Sequence, residues 1–164
     1  MPTFYFDTSA VVKRYKTEEG TEFVDQLFSL LEKSDRAATS FLTVLEFISA
    51  GRRLLKAGEI TTEDFESMLG NFLTDVEKHF ILRALDNSII ADAIDKVVKH
   101  ALRSADSVQL ATAVEVGSLL KEAGEEFIFV AGDDELCKAA RAERLDVINP
   151  REKDALRKLK QFSK

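Results

Sequence analysis

The chain has 164 residues and a mass of 18.4 kDa, a length that predicts one domain able to bury a core without disulfide or metal staples. Hydrophobic residues make up 45% and charged residues 32%, which excludes wholesale disorder. The 23 Lys and Arg against 29 Asp and Glu leave −6, which argues against holding nucleic acid by bulk positive charge but not against contact through a metal ion, which reverses the local sign. A single cysteine, Cys137, excludes an internal disulfide and a cysteine-built zinc cage, and His79 and His100 leave little for a zinc site. The start, Met1-Pro2-Thr3-Phe4-Tyr5-Phe6-Asp7, has no basic leader or long apolar run. No stretch approaches the roughly 18 uncharged apolar residues of a membrane span. The expectation is a cytoplasmic protein with no membrane contact.

Short apolar runs alternate with segments of helical period. Phe4-Tyr5-Phe6 predicts a strand ending at Asp7, and Ser9 to Tyr15 a helical turn or two. Phe23, Leu27, Leu30 and Leu31 form the stripe of an amphipathic helix. Arg36 to Thr39 is a weak strand, and Ser40 to Lys56 a helix with Gly58 as a plausible C-cap. Thr61 is placed to cap the next helix, with Asp64 three residues on and an apolar face of Phe65, Leu69, Phe72 and Leu73. His79 to Leu82 is a third strand; Asn87 to His100 and Ser104 to Leu120 are helices. Phe127 to Val130 is the clearest buried strand, followed by a helix over Asp133 to Glu143. Asp146 to Ile148 is a last strand stopped by Asn149-Pro150, and Arg151 to Lys160 a short basic tail helix. Strands separated by helical crossovers predict an α/β fold with a mostly parallel central sheet and helices on both faces. Ligands of such folds bind at the carboxyl ends of the strands, where strand order reverses.

Four carboxylates stand out. Asp7 follows the first strand directly, and Asp133 follows the Phe127–Val130 strand after Ala131-Gly132, so both belong to the carboxyl edge; either could equally cap a helix. Glu46 sits in an apolar run, Phe41-Leu42-Thr43-Val44-Leu45-Glu46-Phe47-Ile48, where a charge needs a partner: a cation beside it, a place at the rim, or an ion pair with Arg52, Arg53 or another helix. Asp106 falls in the first turn of a helix that Ser104 would cap, where the helix dipole favours an acid anyway. No Cys, His or Ser constellation competes with these acids, and no Gly-rich phosphate loop exists. Oxygen-only clusters bind hard cations such as Mg²⁺ or Mn²⁺, the equipment of phosphodiester hydrolysis. Lys13, Arg14, Lys16, Arg52, Arg53 and Lys56 are candidate phosphate contacts, though each also reads as a solvated helix face. Phe41, Phe65 and Phe72 read as core or interface.

These residues resemble a known family. Phe4 to Tyr15, with Asp7-Thr8-Ser9 at its centre, looks like the opening of PIN-domain proteins, particularly VapC-type toxin ribonucleases. Thr39-Ser40-Phe41-Leu42-Thr43-Val44-Leu45-Glu46 and Leu102-Arg103-Ser104-Ala105-Asp106-Ser107-Val108-Gln109-Leu110-Ala111-Thr112-Ala113 are similar to their second and third motifs. Phe129-Val130-Ala131-Gly132-Asp133, then Ala139-Ala140 and Val147-Ile148-Asn149-Pro150, are similar to their last. The resemblance implies a three-layer α/β/α sandwich and a Mg²⁺- or Mn²⁺-dependent endoribonuclease. Asp7, Glu46, Asp106 and Asp133 would be its metal-holding and catalytic quartet, supported by the hydroxyls of Thr8 or Ser9. It also implies an RNA substrate, a small antitoxin whose tail enters the acidic groove, and a homodimer. One departure is Ala131, where the family often carries Thr or Ser; Asp134 is the substitute for Asp133 if that loop shifts by one residue.

Rival readings fit less well. A phosphotransfer receiver wants paired acids after the first strand, and a haloacid-dehalogenase-type phosphatase wants an acid where Ser9 stands. A non-catalytic PIN-like binding module is the better rival, followed by a DNA or structure-specific nuclease of the same superfamily.

Overall fold

A computed structural model of the chain describes residues 2–31 and 36–162. Five strands, β1 (Thr3–Phe6), β2 (Ala37–Ser40), β3 (Phe80–Arg83), β4 (Phe127–Val130) and β5 (Asp146–Ile148), form one all-parallel sheet in the order β3-β2-β1-β4-β5. The helices are α1 (Thr8–Val11, continued by a 3₁₀ turn over Val12–Arg14), α2 (Thr21–Leu31), α3 (Phe41–Lys56), α4 (Thr62–His79), α5 (Asn87–His100), α6 (Ser104–Glu122), α7 (Asp134–Ala142) and α8 (Ala155–Lys160).

Strand periodicity divides the core in two. Phe4 and Phe6 of β1, with Ile128 and Val130 of β4, face a layer built from α2, α3, α4 and α8, including Phe23, Leu27, Phe28, Phe47, Phe72 and Leu159. Tyr5, Phe127 and Phe129 point the other way, onto Leu110 and Ala113 of α6 and Leu136 and Ala140 of α7. The helix α5 packs outside α6 through Ile89 and Ala93 against Ala111. Every residue of β1 and β4 is buried, as strands covered on both faces require. Phe65 and Phe72 of α4 are core, whereas Phe41, the first residue of α3, is half exposed. On α4 the expected apolar face is incomplete: Leu69 is half-buried and Leu73 exposed.

Helix ends explain several boundaries. Thr61 and Asp64 form a reciprocal capping box, with bonds of 3.1 Å in both directions. Gly58 takes the left-handed conformation (φ +73°) just past α3, so Ala57 is the cap and Gly58 the residue that lets the chain turn away. Ser104 does not cap α6: the N-cap is Arg103, with no side-chain bond to the helix, and Ser104 is the first helical residue. None of the described helices is long and apolar enough to cross a membrane.

Candidate active-site cleft

Strand order reverses between β1 and β4, and the loops leaving those two strands frame a cleft of about 530 Å³. Asp7, Thr8, Ser9, Lys13, Glu46, Arg103, Asp106, Gln109, Gly132 and Asp133 are among its lining residues. The fold thus brings all four sequence-predicted acids to one place, from the N-cap of α1 just past β1, from α3 and α6, and from the N-cap of α7.

Asp7 is buried, with 3% of its surface exposed. It caps α1 through the Ala10 amide (3.0 Å), and the Ser9 hydroxyl lies 2.8 and 2.9 Å from its two oxygens. Burial pushes its carboxyl up to about 7, against the lowering effect of Ser9 and the backbone amides and with a further push from Asp106. The Ser9 hydroxyl also accepts from the Gly132 amide at 2.7 Å, tying the β4–α7 loop to Asp7. A Cβ at Gly132 would stand 2.7 Å from Cε of Lys13, so a side chain there would push the Lys13 chain out of its present place in the cleft. Capping and site placement are therefore compatible readings of Asp7, and the same holds for Asp133, which accepts from the Leu136 amide at 2.8 Å while lining the cleft.

Glu46 is half-buried, and among the described residues no Lys or Arg pairs with it. Its partners are neutral: the Thr8 hydroxyl donates to Oε2 at 2.5 Å and the Gln109 amide at 3.1 Å. Asp106 is pulled up by burial, lowered by Arg103, and raised again by Asp133 and Glu46. Arg103 Nε donates to Asp106 at 3.1 Å, and its Nη2 lies 4.0 Å from Asp133.

Gln109 is the residue that sequence reasoning passed over. It is 1% exposed and sits under the cleft as a hub. Its carbonyl accepts from Tyr5 Oη (3.0 Å) and Ser40 Oγ (3.3 Å), and its amide donates to Thr43 (2.8 Å), Thr8 (3.2 Å) and Glu46. The available signal was a long polar side chain in the run Ser107–Ala113, whose other members are small or aliphatic.

The substrate-binding candidates separate. Lys13 lines the cleft, buried and paired with Glu18 at 2.7 Å. Arg14 lies outside the cleft lining, held by Asp25, Asp75 and the face of Phe28. Arg52 sits over the Phe65 ring and Arg53 donates to Ser49; neither lines the cleft. Arg103 and Arg151 are the lining cations not singled out as phosphate contacts. Ala131 is fully buried against the Tyr5 and Leu136 side of the core, and its carbonyl accepts from the Cys137 thiol. Asp134 does not replace Asp133: it pairs with Arg151 (2.7 Å) and accepts from Asn149 (2.8 Å).

Among the described residues no group of three or more His, Cys, Asp or Glu side chains is gathered closely enough to hold a metal ion. The donor set nonetheless has the chemistry of a hard-cation site: carboxylates from four elements share one cleft, and Asp106 raises Asp7 as Asp133 and Glu46 raise Asp106.

No family model and no curated protein matches the chain. Solved structures do. FitAcB from Neisseria gonorrhoeae superposes with a TM-score of 0.63 at 17% identity, covering 90% of this chain and 98% of that one. PAE2754 from Pyrobaculum aerophilum gives 0.59 at 18% identity over 98% and 97% of the two chains. A toxin–antitoxin complex from Klebsiella pneumoniae gives 0.58 at 13% identity over 90% and 98%. At such identities the likeness is one of fold, and the fold is the three-layer PIN-like sandwich that the motifs imply.

Proposed function

We propose that the chain is a metal-dependent endoribonuclease acting as the toxin of a toxin–antitoxin pair. The observation that carries the proposal is the convergence of Asp7, Glu46, Asp106 and Asp133 on one cleft at the switch point of the sheet. The similarity in fold to a toxin–antitoxin complex supports the toxin reading. Asp7, Asp106 and Glu46 would hold Mg²⁺ or Mn²⁺, with Asp133 helping to hold a second ion or to orient water. A bound divalent ion supplies an activated water and offsets the charge that develops on the phosphate. The chain's own part is to keep Asp7 fixed by Ser9 and Ala10, to keep Glu46 aimed by Thr8 and Gln109, and to present Lys13, Arg103 and Arg151 to the RNA backbone.

Asp7→Asn keeps the size of the side chain and its ability to cap α1, and is expected to abolish nearly all Mn²⁺-dependent cleavage of RNA with an unchanged circular dichroism spectrum. Wild-type cleavage by that variant would refute the nuclease reading. The rival, a PIN-like binding module, draws on the absence of a gathered metal cluster among the described residues. It predicts no Mn²⁺ uptake at all in a calorimetric titration.

The antitoxin and homodimer belong to the same proposal. The helix α5 exposes Ile90, Ile94 and Val98 (44%, 61% and 82%) along one face, apolar surface that a second copy would cover. Sedimentation equilibrium at high micromolar concentration is expected to give twice the monomer mass; a monomer would remove the dimer.

A further inference from the structure

The cleft is lined by six acids, Asp7, Glu18, Glu19, Glu46, Asp106 and Asp133, and three cations, Lys13, Arg103 and Arg151. Two of those cations are engaged with acids outside the proposed metal-binding quartet: Lys13 pairs with Glu18 and Arg151 with Asp134. Arg103 is different. Its guanidinium reaches Asp106, in the first turn of α6, and Asp133, the N-cap of α7, so it stands between two proposed ligands carried by different elements. Its side chain is 82% exposed, so the fold does not hold it there by packing; the two carboxylates do.

We infer that Arg103 is a resident countercharge which a divalent ion must displace. This rests on the metal-site reading above. A hard cation takes carboxylate oxygens as ligands, and an oxygen of Asp106 now accepts from Arg103 at 3.1 Å. Without Arg103 between them, Asp106 and Asp133 repel each other, and Asp133 pushes the Asp106 carboxyl up. Arg103 relieves the repulsion in the metal-free protein, and in doing so keeps the acids from gathering around an ion. With its arginine 82% exposed, the pair is open to water on one side and exchangeable, so the arginine lowers metal affinity without blocking the site.

The test is titration of metal-free protein with Mn²⁺ alone, followed by calorimetry, for wild type, Arg103→Ala, Arg103→Lys and Arg151→Ala. Arg103→Ala is expected to bind Mn²⁺ about two- to fivefold more tightly than wild type, the size of effect an exposed ion pair provides. Arg151→Ala removes the same charge from the same cleft without freeing Asp106 or Asp133, and is expected to gain less. Arg103→Lys keeps the charge but loses the planar guanidinium that reaches both acids, and is expected to fall between wild type and Arg103→Ala. An Arg103→Ala affinity no higher than that of Arg151→Ala overturns the inference, because net charge alone would then explain the gain. If neither wild type nor Arg103→Ala binds Mn²⁺, the metal-site reading itself fails and this inference falls with it.

Discussion

Gln109 shows how one side chain can connect the core to the cleft. Tyr5, Ser40 and Thr43 are buried with their hydroxyls turned to it, and Glu46 and Thr8 meet it from the cleft side. A buried polar group is cheap only while its partners are present. Gln109→Leu preserves approximate size and removes all of these Gln109 bonds at once: the buried Tyr5 hydroxyl loses its acceptor, while Thr43 keeps the Thr39 hydroxyl (2.8 Å) and Ser40 the Thr43 amide (3.4 Å). The expected loss is about 2–4 kcal/mol of unfolding free energy in urea. A change below about 0.5 kcal/mol would mean that the hub carries no net stability. This residue also marks a limit of sequence reading. Asp7, Asp106 and Asp133 were legible because each follows a strand or opens a helix, positions that chain order alone assigns. Glu46 was legible only as an anomaly, and the ion pair offered for it, with Arg52 or Arg53, is replaced by Thr8 and Gln109, which lie 38 and 63 residues away in sequence. Neutral partners at such separation leave no local pattern to read.

At the scale of elements, hydrophobic period and capping chemistry located the strands and helices well, because both are local. The capping box at Thr61 and the stop at Gly58 formed as the residues predict. Ser104 did not cap, and the difference lies in its neighbours: Arg103 takes the N-cap backbone conformation, and Ser104, one residue on, is already helical, its carbonyl accepting from the Ser107 hydroxyl. Longer-range ties were not legible. The end of α5 is fastened to the residue after α7 by Glu143, which meets Lys96 (3.0 Å), Lys99 (2.7 Å) and His100 (2.7 Å). Burial pushes the Glu143 carboxyl up, but Lys99, His100 and Lys96 outweigh it and hold it at about 2. A carboxyl depressed in the folded state contributes stability above its ordinary value of 4.5 and loses it as pH falls toward 2. Glu143→Gln should therefore cost about 1–2 kcal/mol at pH 7, between the exposed and buried limits for ion pairs. Thermal melts should show the gap between variant and wild type closing as pH falls from about 4.5 toward 3. A gap independent of pH over that range would assign the cost to packing instead.

For the whole molecule, the acid excess and the proposed RNA substrate pull in opposite directions. With a net charge of −6, the surface as a whole repels a polyanion, so attraction must be local. The cleft supplies at most three lining cations, each already paired with an acid of the protein (Lys13 with Glu18, Arg103 with Asp106, Arg151 with Asp134), and Arg14, which the sequence also offered, lies outside the lining, held by Asp25, Asp75 and Phe28. Counterion release then sets an upper bound. Each phosphate neutralised on a single strand contributes about −0.7 to the slope of log affinity against log salt, so three contacts allow roughly −2. Binding of a single-stranded RNA to Asp7→Asn, which is expected not to cleave it, measured between about 50 and 200 mM NaCl, should give a slope no steeper than that. A slope near −5 would require phosphate contacts well beyond the cleft, on faces such as that of Arg52 and Arg53, and charge reversal at those two positions would then flatten it. A shallow slope locates recognition in the cleft, where affinity for RNA depends on how many of its carboxylates are neutralised rather than on the charge of the protein as a whole.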